Sequence, residues 1–162
     1  MTATLYPSPL GVLTLISDGH SLTELHFAKQ QEGREPQYPS HDQEPQAFAD
    51  TRLWLDLYFA GEKPGFTPSL NPQGSLFQQK VLQALLAIPY GQTTTYGAIA
   101  KSLSCRSAQA IGQAIHRNPI AIIIPCHRVI GADGSLTGYA AGLDIKQRLL
   151  QLEGWHGLSG II

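Results

Sequence analysis

One cysteine stands directly before two basic side chains in the segment Pro125-Cys126-His127-Arg128. The preceding run, Ile122-Ile123-Ile124, is apolar and β-branched, which predicts a buried strand or an extended core segment. Pro125 fixes the backbone just before the sulfur and prevents a helix from continuing through it. Because cationic or proton-accepting neighbours lower the pKa of a thiol, His127 and Arg128 are the partners that a nucleophilic Cys126 needs.

From the residues alone, Cys126 has a second interpretation. A cysteine after an apolar run can simply be a small buried hydrophobe. The same ambiguity applies to Glu153, which ends a helix predicted from about Leu143 and followed by Gly154. Its carboxylate could orient an imidazole, or it could be a solvated glutamate of the last helical turn.

Short helices must position these groups in the second half of the chain. Ser75 and Thr95 are candidate N-caps, and the predicted helices run over 76–87, 96–103 and 108–116. The polar break Ser104-Cys105-Arg106 separates the last two, which predicts a helix-turn-helix. Residues 108–115 are small on nearly every face, a composition that favours close contact with a DNA backbone over base reading by long side chains.

The first half of the chain has a different pattern. Alternating segments over 3–6, 12–16 and 22–27 predict a β-meander, a polar loop is expected over 29–44, and a helix over 46–60. His20, His26 and His41 lack metal-ligand spacing. The predicted fold class is therefore α+β, with an N-terminal domain over 1–70, a linker over 71–75 and a mainly helical domain over 76–162.

Charge separates the same two halves. Residues 1–75 carry four basic against nine acidic residues, a net −5, whereas residues 76–162 carry seven against three, a net +4. A basic second half suggests contact with phosphate, although a solvated basic face would look the same. No apolar run reaches the length of a membrane span, and no signal peptide is visible. Cys105 and Cys126 form neither a disulfide framework nor a zinc motif.

Five ordered blocks of the second half resemble the O6-alkylguanine-DNA alkyltransferases, also called methylated-DNA–protein-cysteine methyltransferases. The blocks are Ile88-Pro89-Tyr90-Gly91 with Thr95-Tyr96-Gly97-Ala98-Ile99-Ala100, Ala110-Ile111-Gly112 with Arg117-Asn118-Pro119, Pro125-Cys126-His127-Arg128-Val129, Leu136-Thr137-Gly138-Tyr139, and Lys146 with Leu149-Leu150 and Glu153-Gly154. Several blocks in order are far more specific than one short motif. The resemblance implies a ribonuclease-H-like sheet in the N-terminal domain and a Pro-Cys-His-Arg active-site segment in the C-terminal one.

The resemblance also implies a reaction. Glu153 orients His127, which takes the thiol proton of Cys126 through water, and the thiolate removes the alkyl group from O6-alkylguanine, and from O4-alkylthymine. Transfer is direct, stoichiometric and irreversible, so each molecule reacts once. Tyr96 donates to N3 of the lesion base, and Asn118 holds the backbone corner beneath the thiol. Lys146 supports the site electrostatically, with an exposed helical lysine as the alternative.

Residues for DNA and substrate binding follow from the same resemblance: Arg106, Gln109, Ala110, Gly112, Arg128, Val129, Tyr139, Ala140 and Ala141. The family binds the minor groove through the second helix of the helix-turn-helix and flips the damaged base out of the stack. An arginine of that helix fills the gap in the family, whereas Gln109 stands at the aligned position here. Ala141 replaces a glycine of the first-described relatives and adds one methyl group to the pocket wall.

Two other functions are alternatives to suicide DNA repair. One is a lesion-binding module without chemistry, a class in which tryptophan replaces the cysteine. The other is a Cys-His-Glu hydrolase, which gives no purpose to the helix-turn-helix or to Tyr96. We therefore expect a cytoplasmic, monomeric transferase that acts on double-stranded alkylated DNA, with no cofactor, no metal, no membrane association and no obligate protein partner.

Overall fold

The computed structural model describes residues 1–28 and 44–155. The chain divides into two compact units, Met1–Gln73 and Gly74–Ile162. Each unit has its own core, and the side chains that carry candidate chemistry all belong to the second.

The first unit contains an antiparallel meander of β1 (Thr2–Ser8), β2 (Gly11–Ser17) and β3 (Leu22–Phe27), in that order across the sheet. Helix α1 (Gln46–Phe59) packs against all three strands. Alternating apolar residues of the strands and the apolar face of α1 form its core, which includes Leu13, Leu15, Phe48, Leu55 and Tyr58. The predicted meander and helix are confirmed. The expected loop over 29–44, with His41, lies outside the described residues except for Glu44.

Hydrogen bonds attach the chain to the first unit as far as the end of the predicted N-terminal domain. Leu70 forms a parallel bridge with Leu22, and the amide of Asn71 donates to the Leu22 carbonyl at 2.8 Å. The Asn71 side chain also donates to the carboxylate of Asp18 at 3.0 Å. Because these bonds tie the segment to β3 and its preceding turn, only a few residues remain before α2 begins.

The second unit contains helices α2 (Leu76–Leu86), α3 (Tyr96–Ser102), α4 (Ala108–His116) and α5 (Leu143–Leu152). Hydroxyl side chains accept amide hydrogen bonds at the starts of the first three helices, as N-caps do: Ser75 from Gln78, Thr95 from Ala98 and Ser107 from Ala110. Helices α3 and α4 pack against each other. The predicted helices and their two predicted caps are confirmed, with ends that differ by at most one residue.

A short parallel pair of strands, not predicted from the sequence, brings distant segments together. Strand β4 (Thr94–Thr95) pairs with β5 (Val129–Ile130). Tyr96 follows β4 directly, and a 3-10 helix, Cys126–Arg128, precedes β5. The pairing therefore brings the start of α3 to the segment that carries the cysteine.

Residues Ile122–Ile124 are buried, but they do not form the predicted strand or extended segment. The amide of Ile123 donates to the Ala121 carbonyl at 2.8 Å and that of Ile124 to the Ile120 carbonyl at 3.2 Å, as in consecutive tight turns. Ile122 has a φ of 70°, which is rare for a β-branched residue. Local β propensity is overridden here because the chain must reverse inside the core before it reaches Cys126.

The fold class is α+β, as predicted, with a β-sheet unit followed by a mainly helical unit that contains a helix-turn-helix. No helix in the described part of the chain has the length and apolar character needed to cross a membrane.

Candidate functional site

Asn118 follows α4 and holds the turn that leads to Cys126. Its Nδ2 donates to the carbonyl of Ile124 at 2.7 Å, and its Oδ1 accepts from the amide of Ile120 at 3.0 Å. Pro125 follows with φ −83° and ψ 64°, and Cys126 is the first residue of the 3-10 helix. These are the side-chain hydrogen bonds to backbone that the sequence led us to expect, and they fix the backbone segment that leads to the thiol.

Cys126 is only 9% exposed, and burial raises the pKa of its thiol above the ordinary value. Hydrogen bonding with Asn118, the charge of Lys146 and hydrogen bonding with Tyr139 act in the opposite direction. A buried thiol favours the protonated form, so the sulfur of the resting protein is protonated and shielded from solvent. Lys146 is the cation that lowers the pKa, in place of the two basic neighbours expected from the sequence.

A buried carboxylate organises the residues that follow the cysteine. Oε2 of Glu153 lies 2.5 Å from Nε2 of His127, and Oε1 accepts from Nε of Arg128 at 2.7 Å. The amide of Gly91 also donates to Oε1, at 3.0 Å. Burial alone would raise the pKa of Glu153, but His127 and Arg128 hold it at about 2. The carboxylate therefore remains charged at neutral pH. Because Glu153 is buried, the alternative of a solvated glutamate is excluded.

His127 is neutral in this environment. Burial lowers its pKa, and the Glu153 carboxylate offsets only part of that effect. A neutral imidazole carries one proton, and the carboxylate assigns that proton to Nε2 because it can only accept. Nδ1 is then the basic nitrogen of the ring, as a general base requires.

Contrary to the expectation from sequence, Arg128 turns its guanidinium into the protein rather than toward a surface that DNA could reach. Besides its bond to Glu153, its Nη1 donates to the carbonyl of Ile88 at 2.7 Å. The guanidinium also lies over the ring of Tyr90, 5.7 Å from the centroid. A planar fork used in this way positions a carboxylate, so the geometry assigns Arg128 to holding Glu153.

Lys146 projects from α5 and is fully buried. Its Nζ donates to the backbone carbonyl of Thr137 at 2.7 Å. Burial lowers the pKa of Lys146 to about 8, and the charge of Cys126 raises it in return. An exposed helical lysine, the alternative from sequence, is therefore excluded.

Tyr96 and Thr137 form a pair of reciprocal hydrogen bonds. The Thr137 hydroxyl donates to the Tyr96 hydroxyl oxygen at 3.1 Å. The Tyr96 hydroxyl donates in turn to the Thr137 carbonyl at 3.4 Å. The phenol at the start of α3 is thus connected with the segment that precedes α5.

The predicted pocket residues divide between the interior and the surface. Val129 is buried in β5, Tyr139 and Ala141 are half-buried, and Ala140 is exposed. The Tyr139 hydroxyl interacts with the thiol of Cys126. One residue of the predicted pocket wall therefore interacts electrostatically with Cys126, which the sequence did not predict.

The predicted DNA-binding residues lie on the helix-turn-helix. Arg106 in the turn and Gln109 near the start of α4 are exposed, and Ala110 and Gly112 are half-buried. Lys101 and Arg117, which lie on either side of these residues in the sequence, are exposed cations as well. None of these side chains takes part in the hydrogen-bond network around Glu153.

Two residues that form hydrogen bonds with predicted site residues were not predicted themselves, although both lie in blocks that carried the resemblance. Gly91 donates its amide to Glu153. It has a φ of 79°, and an added Cβ would lie 3.1 Å from the Glu153 carbonyl oxygen, so only glycine combines this conformation with this approach. The signal was the turn Pro89-Tyr90-Gly91. Thr137, which contacts Tyr96 and Lys146, gave no comparable signal.

Comparison with protein families identifies both units. The family model described as 6-O-methylguanine DNA methyltransferase, ribonuclease-like domain, matches residues 1–72. The model described as 6-O-methylguanine DNA methyltransferase, DNA binding domain, matches residues 76–155.

Curated relatives and solved structures agree with these matches. A methylated-DNA–protein-cysteine methyltransferase of Methanosarcina acetivorans is 47% identical over 151 residues, which cover 93% of this chain and 96% of that protein. One of Haemophilus influenzae is 45% identical over 152 residues, 93% and 84% respectively. A crystal structure of Mycobacterium tuberculosis OGT in complex with DNA has a TM-score of 0.82 at 45% identity and covers 92% of this chain and 90% of that one.

Proposed function

The chain belongs to the 6-O-methylguanine DNA methyltransferase family, and from this premise we propose that Cys126 is the residue that accepts the alkyl group. The chain is a transferase that repairs alkylated DNA by direct transfer, and DNA is its partner. The assignment to Cys126 rests on one observation: the buried hydrogen bond between Glu153 and His127, the residue that follows the cysteine.

The transfer is a displacement at the alkyl carbon. His127, held by Glu153, takes the thiol proton of Cys126 through an intervening water. The sulfur then forms a bond to the alkyl carbon while the bond from that carbon to O6 of guanine breaks, and its electron pair passes to the base. Tyr96 donates a hydrogen bond to N3 of that base and stabilises the developing charge.

The product is a thioether, which none of the described side chains around the sulfur is equipped to cleave. Hydrolysis of such a bond would require an activated water aligned opposite the sulfur, whereas His127 and Glu153 serve proton removal from the thiol. Transfer is therefore stoichiometric and irreversible, with one alkyl group accepted by each molecule.

DNA binding is assigned to the helix-turn-helix, with Arg106 and Gln109 on the exposed face and the small residues Ala110 and Gly112 next to them. Small residues allow a close approach of α4 to the backbone in the minor groove. The thiol is buried in the protein, so the damaged nucleotide must leave the stack to reach it. Gln109 occupies the gap by hydrogen bonding to the orphaned partner base.

The lesion base is bound mainly by backbone groups. The carbonyls of Cys126 and Val129 accept from the exocyclic amine of guanine, and the amide of Ala140 donates to O6. Tyr139 and Ala141 form the wall, and O4-alkylthymine is a second substrate of the same pocket. The protein acts as a monomer in the cytoplasm, without a cofactor or an obligate protein partner.

The test is the mass of the protein after incubation with an equimolar duplex that contains one O6-methylguanine. We expect a gain of one methyl group on the peptide that contains Cys126, with saturation at one per molecule. An unmodified duplex and the Cys126→Ser variant are the controls, and neither should show the gain. Tight binding to the lesion without a change in mass would indicate a recognition module instead.

A further inference from the structure

Two side chains of the proposed site meet at Thr137, an exposed residue without an assigned role. Lys146 donates to its carbonyl at 2.7 Å, and the Tyr96 hydroxyl donates to the same oxygen at 3.4 Å. The Thr137 hydroxyl donates to the Tyr96 oxygen at 3.1 Å. One residue thus contacts both the buried lysine beside the thiol and the tyrosine proposed to face the lesion base.

We propose that Thr137 is a positioning residue that fixes the Tyr96 hydroxyl for donation to the lesion base, an inference that rests on the proposed function. An exposed threonine can hold a phenol in place only if its own backbone is fixed. Lys146 supplies that anchor, because its buried ammonium forms a short, charge-assisted bond to the Thr137 carbonyl. The position of the Thr137 backbone, which is fixed from the interior, therefore fixes the position of the Tyr96 phenol.

The two bonds between Tyr96 and Thr137 have different roles. The phenol has one proton, which the DNA-free protein directs to the Thr137 carbonyl over 3.4 Å, a long and weak hydrogen bond. A base that enters the pocket takes over this proton at little cost. The shorter bond from the Thr137 hydroxyl remains, and by donating to the phenol oxygen it makes the phenol a better donor. Thr137 thus orients Tyr96 and strengthens it without contacting the base.

Thr137→Val and Thr137→Ser separate this role from a structural one. Valine keeps the shape and the backbone carbonyl but removes the hydroxyl, whereas serine keeps the hydroxyl. The measurement is the single-turnover rate of methyl transfer from an O6-methylguanine duplex, in the parent and in a Tyr96→Phe background. Affinity for undamaged duplex and the thermal unfolding midpoint are measured alongside.

Thr137→Val should slow transfer roughly three- to tenfold, the range for loss of one hydrogen bond, with unchanged duplex affinity and unfolding midpoint. Thr137→Ser should transfer at the parent rate. In the Tyr96→Phe background the valine substitution should have no further effect, because the phenol it acts through is gone. An equal effect of valine in both backgrounds, or none in the parent, would overturn the inference. If the parent itself transferred no methyl group, the proposed function would fail and the inference with it.

Discussion

At the scale of single residues, Lys146 combines a cost in stability with a benefit to the thiol. Burial lowers its pKa from 10.5 to about 8. Between those two pH values the unfolded chain holds more protons on this residue than the folded protein, so its contribution to stability rises with pH across that window. Below pH 8 the protein keeps a buried charge at a cost, and that charge favours the thiolate of Cys126.

Lys146→Met should therefore slow the reaction of Cys126 with iodoacetamide. Without the ammonium the pKa of the thiol rises, and each unit of rise lowers the thiolate fraction about tenfold. The difference from the parent should narrow above about pH 8, where the parent lysine loses its own proton. Rates of alkylation between pH 6 and 10 measure this. Lys80→Met, at an exposed position of α2, is the matched control and should follow the parent, whereas a constant ratio of rates at every pH would contradict the electrostatic role.

At the scale of elements, α4 depends on its cap. The helix has only nine residues, too few to be stable without its cap and its packing. The Ser107 side chain accepts from the amide of Ala110 at 3.1 Å. Because α4 is also the proposed DNA-contacting helix, the cap connects local helix stability with affinity for DNA.

Ser107→Ala should destabilise the protein by about 1 kcal/mol and weaken binding to a lesion duplex through fraying of the first turn of α4. Ser75→Ala is the control, because Ser75 caps α2 in the same way and should cost similar stability with no loss of DNA affinity. Denaturant unfolding and a fluorescence titration with labelled duplex measure the two quantities. Equal affinities of the two variants would show that the start of α4 does not contact DNA.

The elements also show where the sequence was sufficient. Capped helices and the meander could be predicted because Ser75, Thr95 and the alternation in β1–β3 are local signals. The turns at Ile122–Ile124 and the pairing of β4 with β5 could not, because they depend on contacts between residues distant in sequence. The surroundings of Glu153 were likewise predicted only in part. Its helix and its pairing with His127 were expected from the sequence. The contact with Gly91 and the inward orientation of Arg128 were not, because they depend on tertiary packing.

At the scale of the whole molecule, the two halves of the sequence carry net charges of opposite sign. Residues 76–162 carry a net charge of +4, while residues 1–75 carry −5. Arg128 and Lys146 are buried, so their charges do not serve phosphate contacts. We therefore expect DNA binding to depend on a few exposed cations, among them Arg106 in the turn of the helix-turn-helix.

Arg106→Gln should lower the affinity for duplex DNA and reduce the slope of log affinity against log salt by about one, the value for one lost phosphate contact. Lys63→Gln removes an exposed cation from the first unit and should leave the slope unchanged. Titrations at several salt concentrations with damaged and undamaged duplexes measure both. An unchanged slope for Arg106→Gln would remove this residue from the DNA interface.

The hydrogen bonds of Glu153 have a consequence for how the protein is made. Glu153 joins Gly91 and His127, so the imidazole acquires its carboxylate only after residue 153 has been added to the chain. During translation the chain therefore contains Cys126 before the proposed base, His127, has its carboxylate partner. A nascent or prematurely terminated chain therefore lacks the carboxylate that holds the imidazole, and a proteolytic cut that releases α5 would separate Glu153 from His127 in a finished one.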